Sequence, residues 1–232
     1  MKKGPASQFI NIYNKKKKIV LASSSPRRIA ILKECGLKFT IKASKQNEQK
    51  FLTYVFHKYK NCSFATAAEL LSLAKALDTI KSFHNDYYIL GFDTLVVLNN
   101  CIINKPKNKK DALEKILSLS NKTHSVITGF SIIDTKKFKK PKEKLAFFDF
   151  VLWCHKNKIF TSNHEITKVK MREITLQEAK KYVSTGEPFG KAGAYAIQGK
   201  GKKFVQKIYG DTNNVIGLPT DKFFLIFTKV LK

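Results

Sequence analysis

Arginine is almost missing from this 232-residue chain: among 44 basic residues only Arg27, Arg28 and Arg172 are arginine, and the rest are lysine. Acidic residues are scarce too, at 17, so the net charge is +27. A balance of that kind turns attention to nucleic acid or an anionic membrane. Here, however, the lysines are spread along the whole length, and no arginine cluster is interleaved with aromatics as a single-strand binder needs. The excess reads as residue bias, and nucleic acid is not expected as the main partner. Cysteine is sparse, and Cys35, Cys62, Cys101 and Cys154 lie too far apart for zinc or redox spacing, which points to reduced thiols and a cytoplasmic protein. Long apolar runs are lacking as well. The stretch from Phe9 to Tyr13 is too short for a secretory signal, and nothing approaches membrane-spanning length, so no membrane partner is expected.

What is present is a chain 43% hydrophobic, enough for one large core or two small lobes. Residues 1–17 read as a basic N-terminal extension, for which an organelle-transit role stays open, and 18–232 as a single domain. Two of the three arginines stand side by side in "LASSSPRR". Ile19 to Ala22 has the composition of a short strand. Ser25 is placed as an N-cap with Pro26 at the first helical position, and the helix should run through Leu32 to a stop at Gly36. Ser23, Arg27 and Arg28 therefore surround a helix N-terminus, where free N–H groups and a planar guanidinium fork suit a phosphate.

Further strands are predicted over Phe39 to Ala43, Tyr88 to Leu98 and the run "HSVITGFSII", and an amphipathic helix over Ala65 to Leu77. Asn108 should cap a helix reaching Leu119, and Thr175 with Glu178 should form a capping box. In "GFDTLVVL" one carboxylate, Asp93, interrupts an apolar strand, a costly placement unless it is paired or bound to metal. Residues 135–160 read as an insertion between strands, with "LAFFDFVLW" as a strand or a partner surface. His124 is expected to be a hydrogen-bonded structural histidine, and Tyr195 and Phe204 to be core.

Taken together, "LASSSPRRIAILKECGLKF", "GFDTLVVLNNCIINKPKNKKDAL", "KTHSVITGFSI" and "GEPFGKAGAYAIQGKGKKFVQKIYGDTNNVIGLP" resemble the Maf family of nucleoside triphosphate pyrophosphatases. The resemblance implies an α/β fold of the inosine-triphosphatase-like type, two-lobed, with a mixed twisted sheet and a deep central cleft. It implies a nucleoside triphosphate substrate split to the monophosphate and pyrophosphate with a divalent metal, magnesium or manganese, and a homodimer is compatible with it. By the family's pattern, Ser23, Arg27 and Arg28 match the phosphate-binding loop, and Lys75, Lys105 and Lys191 the positive positions. Glu48 and Asp93 match the acidic pair, Asp93 as general base and metal neighbour and Glu48 as metal ligand.

The chain is similar to the dTTP/UTP branch through Arg27, Thr94 and Gln198. The Gln198 amide offers a donor beside an acceptor, which matches the ring N–H and neighbouring carbonyl of uracil or thymine. Gly190 departs from the pattern, standing where the family carries an aspartate before the lysine. That departure and the inserted "LAFFDFVLW" keep a nucleotide-binding regulatory protein with weak catalysis in view, and the net charge keeps a basic nucleic-acid-binding protein in view.

Overall fold

In this computed structural model, residues 17–80, 82–83, 86–139 and 141–231 are described. Apart from Lys17, the basic extension expected over 1–17 lies outside the described residues. The elements in chain order are β1 (Lys18–Leu21), α1 (Pro26–Glu34), β2 (Thr40–Ile41), α2 (Glu48–Lys58), α3 (Phe64–Ile80), β3 (Tyr87–Leu98) and β4 (Cys101–Ile102). They continue as α4 (Lys109–Leu119), β5 (Thr123–Asp134), α5 (Phe147–Lys156), β6 (Thr161–Met171), α6 (Leu176–Ser184), β7 (Val205–Tyr209), α7 (Thr212–Ile216) and α8 (Thr220–Leu231). Short 3₁₀ turns occupy Ala192–Ala194 and Lys200–Phe204.

The sheet has seven strands among the described residues, in the order β2-β1-β3-β5-β6-β7 with β4 paired to β3. It is mixed: β1 runs parallel to β2 and β3, whereas β4 is antiparallel to β3 and β7 to β6. The chain divides into two compact units, one of Met1–Asp93, Gly129–His164 and Gly217–Lys232, the other of Thr94–Thr128 and Glu165–Ile216.

The spine of the first unit is α3. The sequence reads as an amphipathic helix there, but the helix is buried over most of its circumference, from Ala67 and Ala68 through Leu70–Leu77 to Thr79. A helix apolar nearly all round finds its place inside the protein. It lies hard against the strands because they present glycines: a Cβ on Gly91 would fall 2.0 Å from the Ser72 carbonyl oxygen, and one on Gly129 2.3 Å from the Ala68 backbone. Alongside, Phe92 and Phe130 pack on Phe223 of α8, with ring centroids 5.1 and 5.6 Å away.

The run "LAFFDFVLW" is mostly helix α5, with Val151, Leu152 and Cys154 buried. It packs on α3, and its Phe148 ring meets Phe51 of α2 edge-on at 5.1 Å. Burial raises the Cys154 thiol to about 12, so it stays protonated and serves as an apolar side chain. Neither a period of two nor one of 3.6 stands out in so aromatic a run, which is why the sequence does not separate helix from strand there.

In the second unit, α4 packs on α6 over a core that includes Ile116, Leu119, Met171, Ala179, Tyr182 and Phe204. Both helices carry the caps read from sequence. Asn108 Oδ1 accepts from the Asp111 N–H at 2.9 Å, and Thr175 and Glu178 form a reciprocal capping box. Arg172 closes on that box with both its terminal nitrogens on the Glu178 carboxylate and donates through Nε to the Lys203 carbonyl at 2.8 Å.

Gly91→Ala should destabilise the protein by about 3 kcal/mol or more, the upper range for forcing an extra methyl into a packed contact. The obstacle is a backbone carbonyl that no side-chain rotation relieves. Urea denaturation checks this, and an unchanged midpoint would show that α3 and β3 are not in such close contact.

Candidate functional site

The first unit gathers the acidic pair around one cation. Lys75, on the buried spine, sends its ammonium to Glu48 Oε1 at 2.7 Å and into a shorter bond with Asp93 Oδ1. Asp93 is 4% exposed and Lys75 9%, so the apolar strand accommodates its carboxylate by pairing it rather than by hydrating it. Glu48 opens α2, whose start is fixed twice. Asn47 caps the helix by accepting from the Lys50 N–H at 3.0 Å. The Asp78 carboxylate, one turn beyond Lys75, takes Ser44 Oγ at 3.0 Å, Lys45 N–H at 2.8 Å and Gln46 Nε2 at 2.9 Å.

Arg28 lies in the same unit and is buried. Its Nε donates to the Gly217 carbonyl at 2.8 Å and its terminal nitrogen to Ser23 Oγ at 3.3 Å. Burial lowers its pKa from the ordinary arginine value, against the opposing pull of Asp93 and Glu48. Ser25 holds the N-cap position without a side-chain cap bond, and its N–H instead donates to Ser23 Oγ at 3.2 Å. The loop is thus tied through Ser23, with Arg27 half-buried one position before Arg28.

Thr94, Lys105, Lys191 and Gln198 belong to the second unit. Thr94 Oγ1 shares a hydrogen bond with Thr128 Oγ1 at 2.9 Å. Lys105 is exposed two residues beyond Ile103, whose carbonyl accepts from the Gly193 N–H at 2.9 Å, so its segment and that of Lys191 are joined through the backbone. Lys191 Nζ donates to the Glu187 carbonyl and reaches the Phe189 carbonyl at 3.4 Å. Backbone oxygens are therefore among the partners of this lysine, which directly follows Gly190. Gln198 is exposed on the loop that follows.

Alongside Lys75, charged groups outside the predicted site set are engaged as well. Glu69, Lys75 and Asp78 are the charged residues of α3, and each is engaged: the Glu69 carboxylate pairs with His164 Nδ1 at 2.6 Å and accepts from Ser162 Oγ at 3.0 Å. A charge inside so apolar a helix was the available signal. Glu187 gave none, since its partners are backbone N–H groups and a phenol.

Among the described residues no three His, Cys, Asp or Glu side chains converge as a metal cluster. Glu48 and Asp93 supply two hard carboxylates, converging on the Lys75 ammonium. That donor set fits magnesium or manganese, which take one or two protein carboxylates and complete their octahedron with water and phosphate oxygens.

The groups described so far are those of a mixed α/β protein in which a buried aspartate and a partly exposed glutamate meet on one lysine. The chain belongs to the Maf-like protein family, whose profile matches residues 18–230. It is 39% identical over 205 residues to a dTTP/UTP pyrophosphatase of Alkaliphilus metalliredigens, covering 88% of this chain and 92% of that one. It is 38% identical over 208 residues to a dTTP/UTP pyrophosphatase of Acetivibrio thermocellus, covering 87% and 90%. A solved nucleoside-triphosphatase / dITP/XTP pyrophosphatase from Mycobacterium abscessus matches at 10% identity with a TM-score of 0.40, over 91% of this chain and 93% of its own.

His124 is structural, as expected. It is 2% exposed, with Nε2 2.8 Å from the Tyr195 hydroxyl and Nδ1 without a hydrogen-bond partner. Tyr195 and Phe204 are core residues. Burial lowers the His124 pKa to about 4, so the folded protein holds the ring neutral while the unfolded chain protonates near 6.5. The unfolded state binds the extra proton between those values, so stability falls as pH drops from 6.5 towards 4, by a total on the order of 3 kcal/mol. Urea midpoints at pH 7 and pH 4.5 should show this drop, and His124→Gln should flatten it. An equal drop in the variant would assign the acid sensitivity to other groups.

Proposed function

We propose that this protein hydrolyses dTTP and UTP to the monophosphate and pyrophosphate with the help of a divalent metal. The observation that carries the reading is Asp93, a carboxylate buried in an apolar strand and held on Lys75 with Glu48, in a Maf-like chain whose relatives are dTTP/UTP pyrophosphatases. In this reading water attacks the α-phosphorus, the bond to the bridging oxygen breaks, and pyrophosphate leaves. Asp93 accepts the proton of the attacking water. Glu48 and Asp93 would hold the metal, which when bound neutralises charge on the triphosphate.

Lys75 keeps the two acids at a fixed separation and balances their charge before substrate arrives. Ser23, Arg27 and Arg28 bind phosphate oxygens. Arg28 is already fixed by Gly217 and Ser23, so little orientation is lost when it meets an anion. Thr94, Lys105, Lys191 and Gln198 bind substrate in this reading, with the Gln198 amide meeting the pyrimidine edge. The four cysteines are free thiols, in keeping with the reducing conditions of a cytoplasm. Among the described residues no helix is long and apolar enough to cross a membrane.

Asp93→Asn should lower the rate of pyrophosphate release from UTP with magnesium by roughly 10² to 10⁴, the scale for losing a general base. Circular dichroism should retain the native signal, because the amide keeps the shape and still accepts from Lys75. Undiminished magnesium-dependent turnover in the folded variant would exclude Asp93 as the base.

A further inference from the structure

We propose that Glu187 is a positioning residue for substrate choice: its carboxylate fixes the loop bearing Gln198, and with it the base this protein accepts. The inference rests on the reading of Gln198 as the group that meets the pyrimidine edge. Glu187 follows the turn after α6. Its Oε2 accepts from the Lys200 N–H at 2.9 Å and its Oε1 from the Gly201 N–H at 3.0 Å, two and three residues beyond Gln198. The same Oε1 accepts from the Tyr182 hydroxyl at 2.9 Å. That hydroxyl oxygen in turn accepts from the Ala196 N–H at 3.3 Å, two residues before Gln198. One carboxylate and one buried phenol thus hold the backbone on both sides of an exposed glutamine.

The loop is shaped for this ligation. A Cβ on Gly199 would lie 2.5 Å from the Glu187 carboxylate, and one on Gly201 2.8 Å from the Ala196 carbonyl and the Tyr182 hydroxyl. Only glycines let the strand of backbone wrap so closely. Burial would raise the Glu187 pKa, but the N–H groups of Gly201 and Lys200 outweigh it and lower the pKa, so the acceptor is the ionised carboxylate. Hydrogen bonds to a charged acceptor are the stronger kind. The backbone of the same residue receives Lys191 Nζ, so a second proposed substrate contact is referred to the same anchor.

An amide donor is useful in base selection only if its direction is fixed, since a swivelling side chain would accept cytosine as readily as uracil. UTP and CTP carry the same triphosphate and differ at the base edge, so the ratio of their kcat/KM values isolates this contact. Glu187→Gln places an NH2 group or a weaker acceptor against two N–H donors. It should lower the UTP-to-CTP ratio roughly tenfold, the scale for losing a charge-assisted bond. Tyr182→Phe, which removes a hydroxyl from a residue that otherwise keeps its packing, should move the ratio the same way by a smaller factor. It decides the matter if Glu187→Gln does not fold.

Gln198→Ala serves as the reference and should reduce the ratio at least as far. If Gln198→Ala lowers the ratio while the folded Glu187 and Tyr182 variants keep it, the positioning role is overturned and the reading of Gln198 stands. If Gln198→Ala leaves the ratio unchanged, that reading fails and the role of Glu187 falls with it. An equal loss of both nucleotides in the Glu187 and Tyr182 variants would show scaffolding without selectivity, and would also overturn the proposal.

Discussion

Placing a lysine ammonium inside the first unit is the constraint to which much of that unit answers. An unpaired charge at that depth would cost several kcal/mol, and pairing recovers the cost only when the partners are well aligned. Lys75 meets Asp93 from the strand and Glu48 from the start of α2, so both must be delivered with little freedom. The strand glycines admit α3 to within backbone contact, which brings the lysine close enough. Asp78 and Asn47 secure the segment that carries Glu48. Well-packed apolar side chains often match or exceed a buried ion cluster in stability, so the presence of this one is better explained by chemistry than by stability.

Asp78 and Glu187 anchor their loops by the same principle. Asp78 gathers a hydroxyl, a backbone N–H and an amide from consecutive residues 44–46, and Glu187 gathers N–H groups from consecutive residues 200–201. Each converts an irregular loop, which has no ladder of its own to satisfy its N–H groups, into a segment with one conformation. Helices alone could not deliver Glu48 or Gln198 to fixed positions, because both lie on or beside loops. The carboxylates substitute for the missing secondary structure.

Much of the fold was legible because its signals are local. Asn108 and the Thr175–Glu178 box announce their helices, and a carboxylate in "GFDTLVVL" stands out from its apolar neighbours. The pairing of Asp93 and Glu48 through Lys75 joins positions far apart in sequence, and only the family pattern placed them together. Glu187 remained invisible for a related reason: its partners are largely backbone groups, which every residue possesses. The "LAFFDFVLW" run was unreadable because its apolar residues outnumber the face that any one secondary structure needs. Arg28 was read as a phosphate ligand from its neighbours, but the hydrogen bond that fixes it, to the carbonyl of Gly217, spans most of the chain.

Gly190 has a φ of 73°, and a Cβ built there would meet nothing within 4 Å. The turn therefore asks for a left-handed backbone while leaving the space beside it open, and Asp and Asn are the ordinary residues that tolerate that conformation best. A carboxylate could be gained or lost at this position for a modest backbone cost and without repacking a neighbour. Main-chain oxygens of Glu187 and Phe189 are among the partners of the neighbouring Lys191, and an exchange of side chain at position 190 leaves those oxygens in place. The charge at position 190 and the shape of this corner are therefore separable: a side chain added there would project into open space and leave the turn as it is.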